Sequence, residues 1–170
     1  MAVISKTVQD AFCEQIKNEM YSAYLYLSMS AWFEAQDLPG FAHWMKAQFI
    51  EEETHALKML EFVVDRDGVV TLLPIAQPQS TWTSALEVYE QVLQHEQKVT
   101  ALINDLYAVA VKEKDPASQV FLHWFINEQV EEEKNADLIV EQLKAIGAMR
   151  GLLIMLDGHM DERKASLSVG

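Results

Sequence analysis

The stretch Phe49–Leu60, FIEEETHALKML, decides the fold, because it sets a carboxylate where a leucine belongs. At roughly 100° per residue, Phe41, Met45, Phe49, Ala56, Met59 and Val63 share one helix face. Glu52 lies in the middle of that face, with His55 one turn on. An unpaired carboxylate in an apolar core is heavily disfavoured. Something outside the helix must neutralise it.

The anomaly recurs on every long helical segment. Over about 5–37, Val8, Phe12, Ala23, Tyr26 and Phe33 form a stripe that contains Glu19. Over about 84–114, Tyr89, Val92, Leu93, Val99, Ile103 and Tyr107 surround Glu96, and over about 115–147, Phe121, Phe125, Ile139, Leu143 and Ile146 flank Glu128 and Glu132. No Lys or Arg shares these stripes. Shifting the first half by 77 positions lays Glu19 on Glu96, Glu51 on Glu128, Glu52 on Gln129 and His55 on Glu132. The chain therefore reads as two related hairpins whose polar levels coincide.

Punctuation sets the element ends. Leu38-Pro39-Gly40 separates the first two helices, and the second fades near Asp67-Gly68. Ser84 with Glu87 three residues on is a capping box. Asp115 as N-cap with Pro116 opens the fourth helix, and Gly147 ends it. Tight turns make each pair antiparallel. About 16 residues with Pro74 and Pro78 join the pairs, and extended they reach ~50 Å, enough to traverse helices ~40 Å long. The second and third helices are thus expected to run parallel. The expectation is all-α: a four-helix bundle with one long crossover, over about 5–147 of a single 1–170 domain. A short fifth helix at about 150–163 includes the apolar piece Leu152–Met160.

Composition narrows the function. A net charge of −13 without a Lys/Arg cluster argues against nucleic acid, and suits attraction of cations or simple solubility. No apolar run is long enough for a membrane helix, and no signal peptide is visible at the start. The lone Cys13 excludes an internal disulfide, suits a reducing cytoplasm, and falls off the core stripe. Cations are then the expected neutralisers. Carboxylates with one imidazole favour iron or manganese over zinc. Dimetal carboxylate bundles combine lone Glu residues with Glu-x-x-His motifs. Here the second motif reads Gln129-x-x-Glu132, so the two metal positions are expected to differ.

These residues resemble a ferritin, and most of all the non-haem prokaryotic ferritins, along essentially the whole chain. The resemblance is carried by Glu19-Met20-Tyr21-Ser22, Tyr26, Glu51-Glu52-Glu53-Thr54-His55, His95-Glu96-Gln97 and Asn127-Glu128-Gln129-Val130-Glu131-Glu132-Glu133. It implies a ferritin-like bundle and a ferroxidase that oxidises Fe(II) with oxygen or hydrogen peroxide. One iron would take Glu19, Glu52 and His55 with Gln129 nearby; the other would take Glu52 as bridge, Glu96 and Glu132. Tyr26 matches the family tyrosine beside the diiron centre, with a plain core aromatic as the alternative. Glu51, Glu128, Glu131 and Glu132 match a third iron position, against a solvated acidic face. The resemblance further implies Fe(III) mineral stored in a twenty-four-subunit homo-oligomeric cage in the cytoplasm, with the fifth helix at subunit contacts. Glu53 stands where haem-binding relatives carry a methionine, so no haem is expected. Gln119 and Leu122 stand where animal ferritins line a threefold channel with acids. The rival readings are a diiron oxidoreductase acting without storage, a DNA-protecting mini-ferritin and a metal-free helical module.

Overall fold

The computed structural model describes residues 3–160. Five helices follow in order: α1 Lys6–Ala35, α2 Pro39–Asp65, α3 Ala85–Lys112, α4 Pro116–Ile146 and α5 Arg150–Met160. The expected all-α architecture is what the chain adopts. Positions 161–163, which the expected fifth helix also covered, lie outside the described residues.

Side-chain caps start three of the helices, each satisfying an otherwise orphaned N–H. Ser5 Oγ accepts from Val8 N–H (3.3 Å), Ser84 Oγ from Glu87 N–H (3.1 Å) and Asp115 Oδ1 from Ser118 N–H (3.3 Å). The box at α3 is closed differently from its usual form. Glu87 reaches past Ser84 and accepts from Thr83 Oγ1–H (2.5 Å) and Thr83 N–H (2.6 Å), which hold its carboxyl below the usual range. α1, α2 and α3 each end with a left-handed residue, Asp37, Asp67 and Lys114. The following N–H then reaches five residues back, as Leu38 does to Phe33 O (3.1 Å) and Gly68 to Val63 O (2.9 Å). Gly68 is thus not the left-handed residue. It is needed because a Cβ there would sit 2.7 Å from Val63 and 2.8 Å from Ile4.

The crossover is tied down along α1. Val69 N–H donates to Gln9 Oε1 (2.9 Å), Thr71 N–H to Cys13 Sγ (3.4 Å), and Ser28 Oγ–H to Gln79 O (2.6 Å), while Trp82 packs edge-on to Trp32. The segment 66–84 therefore climbs the whole length of α1 and starts α3 beside the α1–α2 turn. Cys13 departs from expectation: it is buried, because the crossover covers the flank of α1 that a bare bundle would expose.

Contacts fix the remaining directions. Phe33 meets Tyr89 while Ser22 meets His95, so α1 and α3 are antiparallel. Gln48 meets Glu132 and Phe62 stacks on Phe121 at 4.0 Å, so α2 and α4 are antiparallel too. Hence α2 and α3 run parallel, as a long crossover requires.

α5 is pinned to the end of the bundle by a bond the sequence did not announce. Leu38 offers α2 no side-chain cap. Instead Asp157 of α5 accepts from Phe41 N–H at 2.9 Å. Gly40 permits this approach, since a Cβ there would lie 1.8 Å from the Asp157 carbonyl oxygen.

The core divides in two. One apolar cluster, around Phe33, Phe41, Met45 and Tyr89, fills the α5 end. The other, around Phe12, Met59, Ile103 and Leu122, fills the opposite end. Between them lies a belt of buried polar side chains.

Candidate metal centre

Each of α1 to α4 contributes to that belt at the level its stripe dictates. Glu19, Glu52, His55, Glu96, Gln129 and Glu132 are all buried, and Glu52 is only 1% exposed. Ligand atoms of Glu19, Glu52 and His55 lie within 4.8 Å of one another. His55 Nδ1 stands 3.4 Å from Glu52 and 4.0 Å from Glu19. Glu52 Oε2 is fully buried and has no hydrogen-bond partner. Glu96 forms the other wall, accepting from Tyr26 O–H on one oxygen and from Gln129 Nε2 on the other (3.1 Å).

Supporting side chains orient the carboxylates. Gln15 Nε2 donates to Glu19 (2.7 Å) and Gln48 Nε2 to Glu132 (2.9 Å). Ser22 Oγ and His95 Nε2 share a bond of 2.7 Å that joins α1 to α3. Ser22 Oγ–H also lies within reach of Asn18 O (3.1 Å), one turn back on α1. Burial, with Lys98 adding to it, lowers His95 to about 4 and keeps it neutral. Its ring meets Tyr26 edge-on at 6.2 Å. Ser22 and His95 stand in motifs that carry the resemblance, but the sequence assigned a role to none of these partners. Gln15 and Gln48, each a helical turn from a core glutamate, were the available signal.

Electrostatics follow from the crowding. Burial, then the charge of Glu52, pushes Glu19 well above the usual carboxylate range. Burial, then Glu96, does the same to Glu52. Burial also raises Glu96, and Tyr26 is raised by burial and then by Glu96. Among the described residues, no Lys or Arg is buried within the belt, and the one buried guanidinium, Arg66, bonds Asp115 and Ser118 at the bundle end. The donor set, carboxylates with one imidazole and an orphaned oxygen aimed among them, fits a hard cation of the iron type.

The remaining expected positions divide. Glu51 and Glu128 are half-buried and Glu131 is exposed. Burial raises Glu128; His55 opposes the rise, and the charges of Glu131 and Glu51 add to it. Glu53 is half-buried. Leu122 is wholly buried, and Gln119 donates to Ala110 O at 3.4 Å.

A four-helix bundle with one crossover and a carboxylate belt at mid-height is the architecture of the dimetal carboxylate proteins. The ferritin-like domain family matches residues 9–146. A bacterial non-heme ferritin of Bacteroides fragilis is 45% identical over 161 residues, covering 95% of this chain and 100% of the relative. That of Campylobacter jejuni is 37% identical over 158 residues, covering 93% and 95%. A solved open-pore ferritin from the archaeon Archaeoglobus fulgidus superposes with a TM-score of 0.94 at 45% identity, covering 96% of this chain and 100% of its own. The chain belongs to the ferritin family. Among the described residues, no helix is long and apolar enough to cross a membrane.

Proposed function

We propose that this chain is the subunit of an iron-storage ferritin that oxidises Fe(II) within its bundle, working as one domain. The observation that carries the reading is Glu52: a buried carboxylate oxygen without a hydrogen bond, facing Glu19 and His55. Iron is substrate and cargo here. Glu19, Glu52 and His55 bind one Fe(II), with Gln129 nearby, and Glu52, Glu96 and Glu132 bind the second, so that Glu52 bridges the pair. Clustered anionic oxygens favour Fe(III) over Fe(II). Two Fe(II) each give up one electron. Oxygen takes both with two protons and becomes hydrogen peroxide, or hydrogen peroxide takes them and becomes two waters.

The hydroxyl of Tyr26 donates to Glu96 and holds that carboxylate in place beside the irons. Glu51, Glu128 and Glu131, with Glu132 shared, receive Fe(III) on its way to the mineral. α5, with Ile154 and Met155 exposed, supplies subunit contacts in a twenty-four-subunit cage in the cytoplasm. Glu53, a hard carboxylate in place of a thioether, leaves the protein without haem. The names of the relatives, non-heme ferritins, support this reading. His55→Ala tests it: fast aerobic Fe(II) oxidation should disappear while far-UV circular dichroism stays that of the helical bundle. An unchanged initial rate rejects the site.

A further inference from the structure

A cavity of about 520 Å³ opens on the flank of the bundle between α3 and α4. Thr100, Gln129, Val130, Glu133, Lys134 and Asp137 contribute to its walls. It touches the carboxylate belt through one residue, Gln129, which is only 5% exposed. The Gln129 amide nitrogen donates to Glu96 O (3.2 Å), Glu96 Oε2 (3.1 Å) and Thr100 Oγ1 (3.3 Å). A backbone carbonyl can only accept, so this orientation of the amide is fixed. Its oxygen then has no hydrogen-bond partner among the described residues, which leaves it open to water or a ligand. Outward from it the ladder continues: Thr100 Oγ1–H donates to Glu133 Oε1 at 2.6 Å, and Asp137 lies one helical turn beyond Glu133.

We infer that this α3–α4 cavity is a lateral way in for hydrated divalent cations, leading from Asp137 and Glu133 past the Gln129 amide oxygen to Glu96. The inference rests on the proposed function and adds a route to it. Every free donor along the ladder is a hard oxygen, the type divalent first-row ions of this kind accept. Six waters at about 30 Å³ each come to about 180 Å³, so the cavity admits an ion with its hydration shell. Lys134 sets one positive charge against two carboxylates at the mouth. The balance attracts a cation without holding it, which suits passage rather than storage.

The test uses the assembled, iron-free protein and Co(II) alone, whose visible absorption strengthens as water ligands give way to the protein's. Two variants are compared with the unmutated protein by anaerobic stopped flow: the double variant E133Q/D137N, which removes the charge, and V130W, which fills the mouth from an exposed position. The expected result is association slowed about tenfold in both, the low end of what charged clefts confer. Added salt should narrow the gap for E133Q/D137N and leave that of V130W. Co(II) bound per subunit at equilibrium should not change. Unchanged rates in both variants overturn the route while leaving the metal site standing, and so does a lowered equilibrium stoichiometry, which would make the cavity a storage position. If the unmutated protein binds no Co(II), the proposed function fails first.

Discussion

Replacing Glu52 by Gln should make the metal-free protein more stable, the opposite of what core substitutions usually do. The magnitude follows from the belt. Glu52 Oε2 is buried without a hydrogen bond, and Glu96, Glu132 and Glu51 all work against its charge. An unsatisfied buried polar group costs about 1–3 kcal/mol by mutational measure. Gln keeps the shape, removes the charge and offers an N–H₂ to the neighbouring Glu19. The gain should therefore be about 1–3 kcal/mol, which raises the unfolding midpoint by roughly 2–12 °C for a chain of this size. Scanning calorimetry of both proteins in chelator, with scattering to establish equal assembly, reads the difference. Saturating Co(II) should reverse the order. A site filled at a hundred times its Kd stabilises the unmutated protein by about 2.7 kcal/mol, and E52Q loses that gain. If E52Q is the less stable protein in chelator, the carboxylates are satisfied by the fold itself and the reasoning collapses.

Two further outcomes concern the ends of the bundle. Gly40→Ala sets a Cβ against the Asp157 backbone, so α5 must shift; overpacking of this kind costs about 1–3 kcal/mol, and native mass spectrometry should show a weakened assembly. Asp115 is raised by burial, but hydrogen bonds from Arg66 and Ser118 outweigh this and bring it below its ordinary value. The stability it contributes is thus full above its unfolded value of about 3.9 and is lost as pH falls through the lowered one. D115N should lose stability at neutral pH, with a smaller gap in acid, as read from denaturant midpoints at several pH values.

The bundle was largely legible because its signals are local and periodic. Ser84 and Asp115 cap where their spacing says, and the stripes through Phe12, Met59 and Ile103 are the stripes that pack. What the sequence could not show is contact between distant elements. Asp157 serving as the cap of α2, and Gly40 making room for it, join positions more than a hundred residues apart with no shared pattern. Cys13 is buried because the crossover lies over it, which no helix period foretells. At the site, buried glutamates betrayed themselves by interrupting apolar runs, so Glu19, Glu52 and His55 could be grouped before their distances were known. Gln15, Gln48 and the Ser22–His95 pair interrupt nothing unusual for a helix, and their roles emerge only from bonds between side chains.

The central claim is that the buried carboxylates hold two ferrous ions side by side, and diffraction at the iron edge tests it most directly. Crystals of the protein soaked anaerobically with Fe(II) should show two anomalous peaks in every subunit, one among Glu19, Glu52 and His55, the other among Glu52, Glu96 and Glu132, with Glu52 between them. The same map reads the third position, as a weaker peak beside Glu131. Anomalous density confined to the protein surface, with the belt carboxylates left where they stand without metal, would contradict the account.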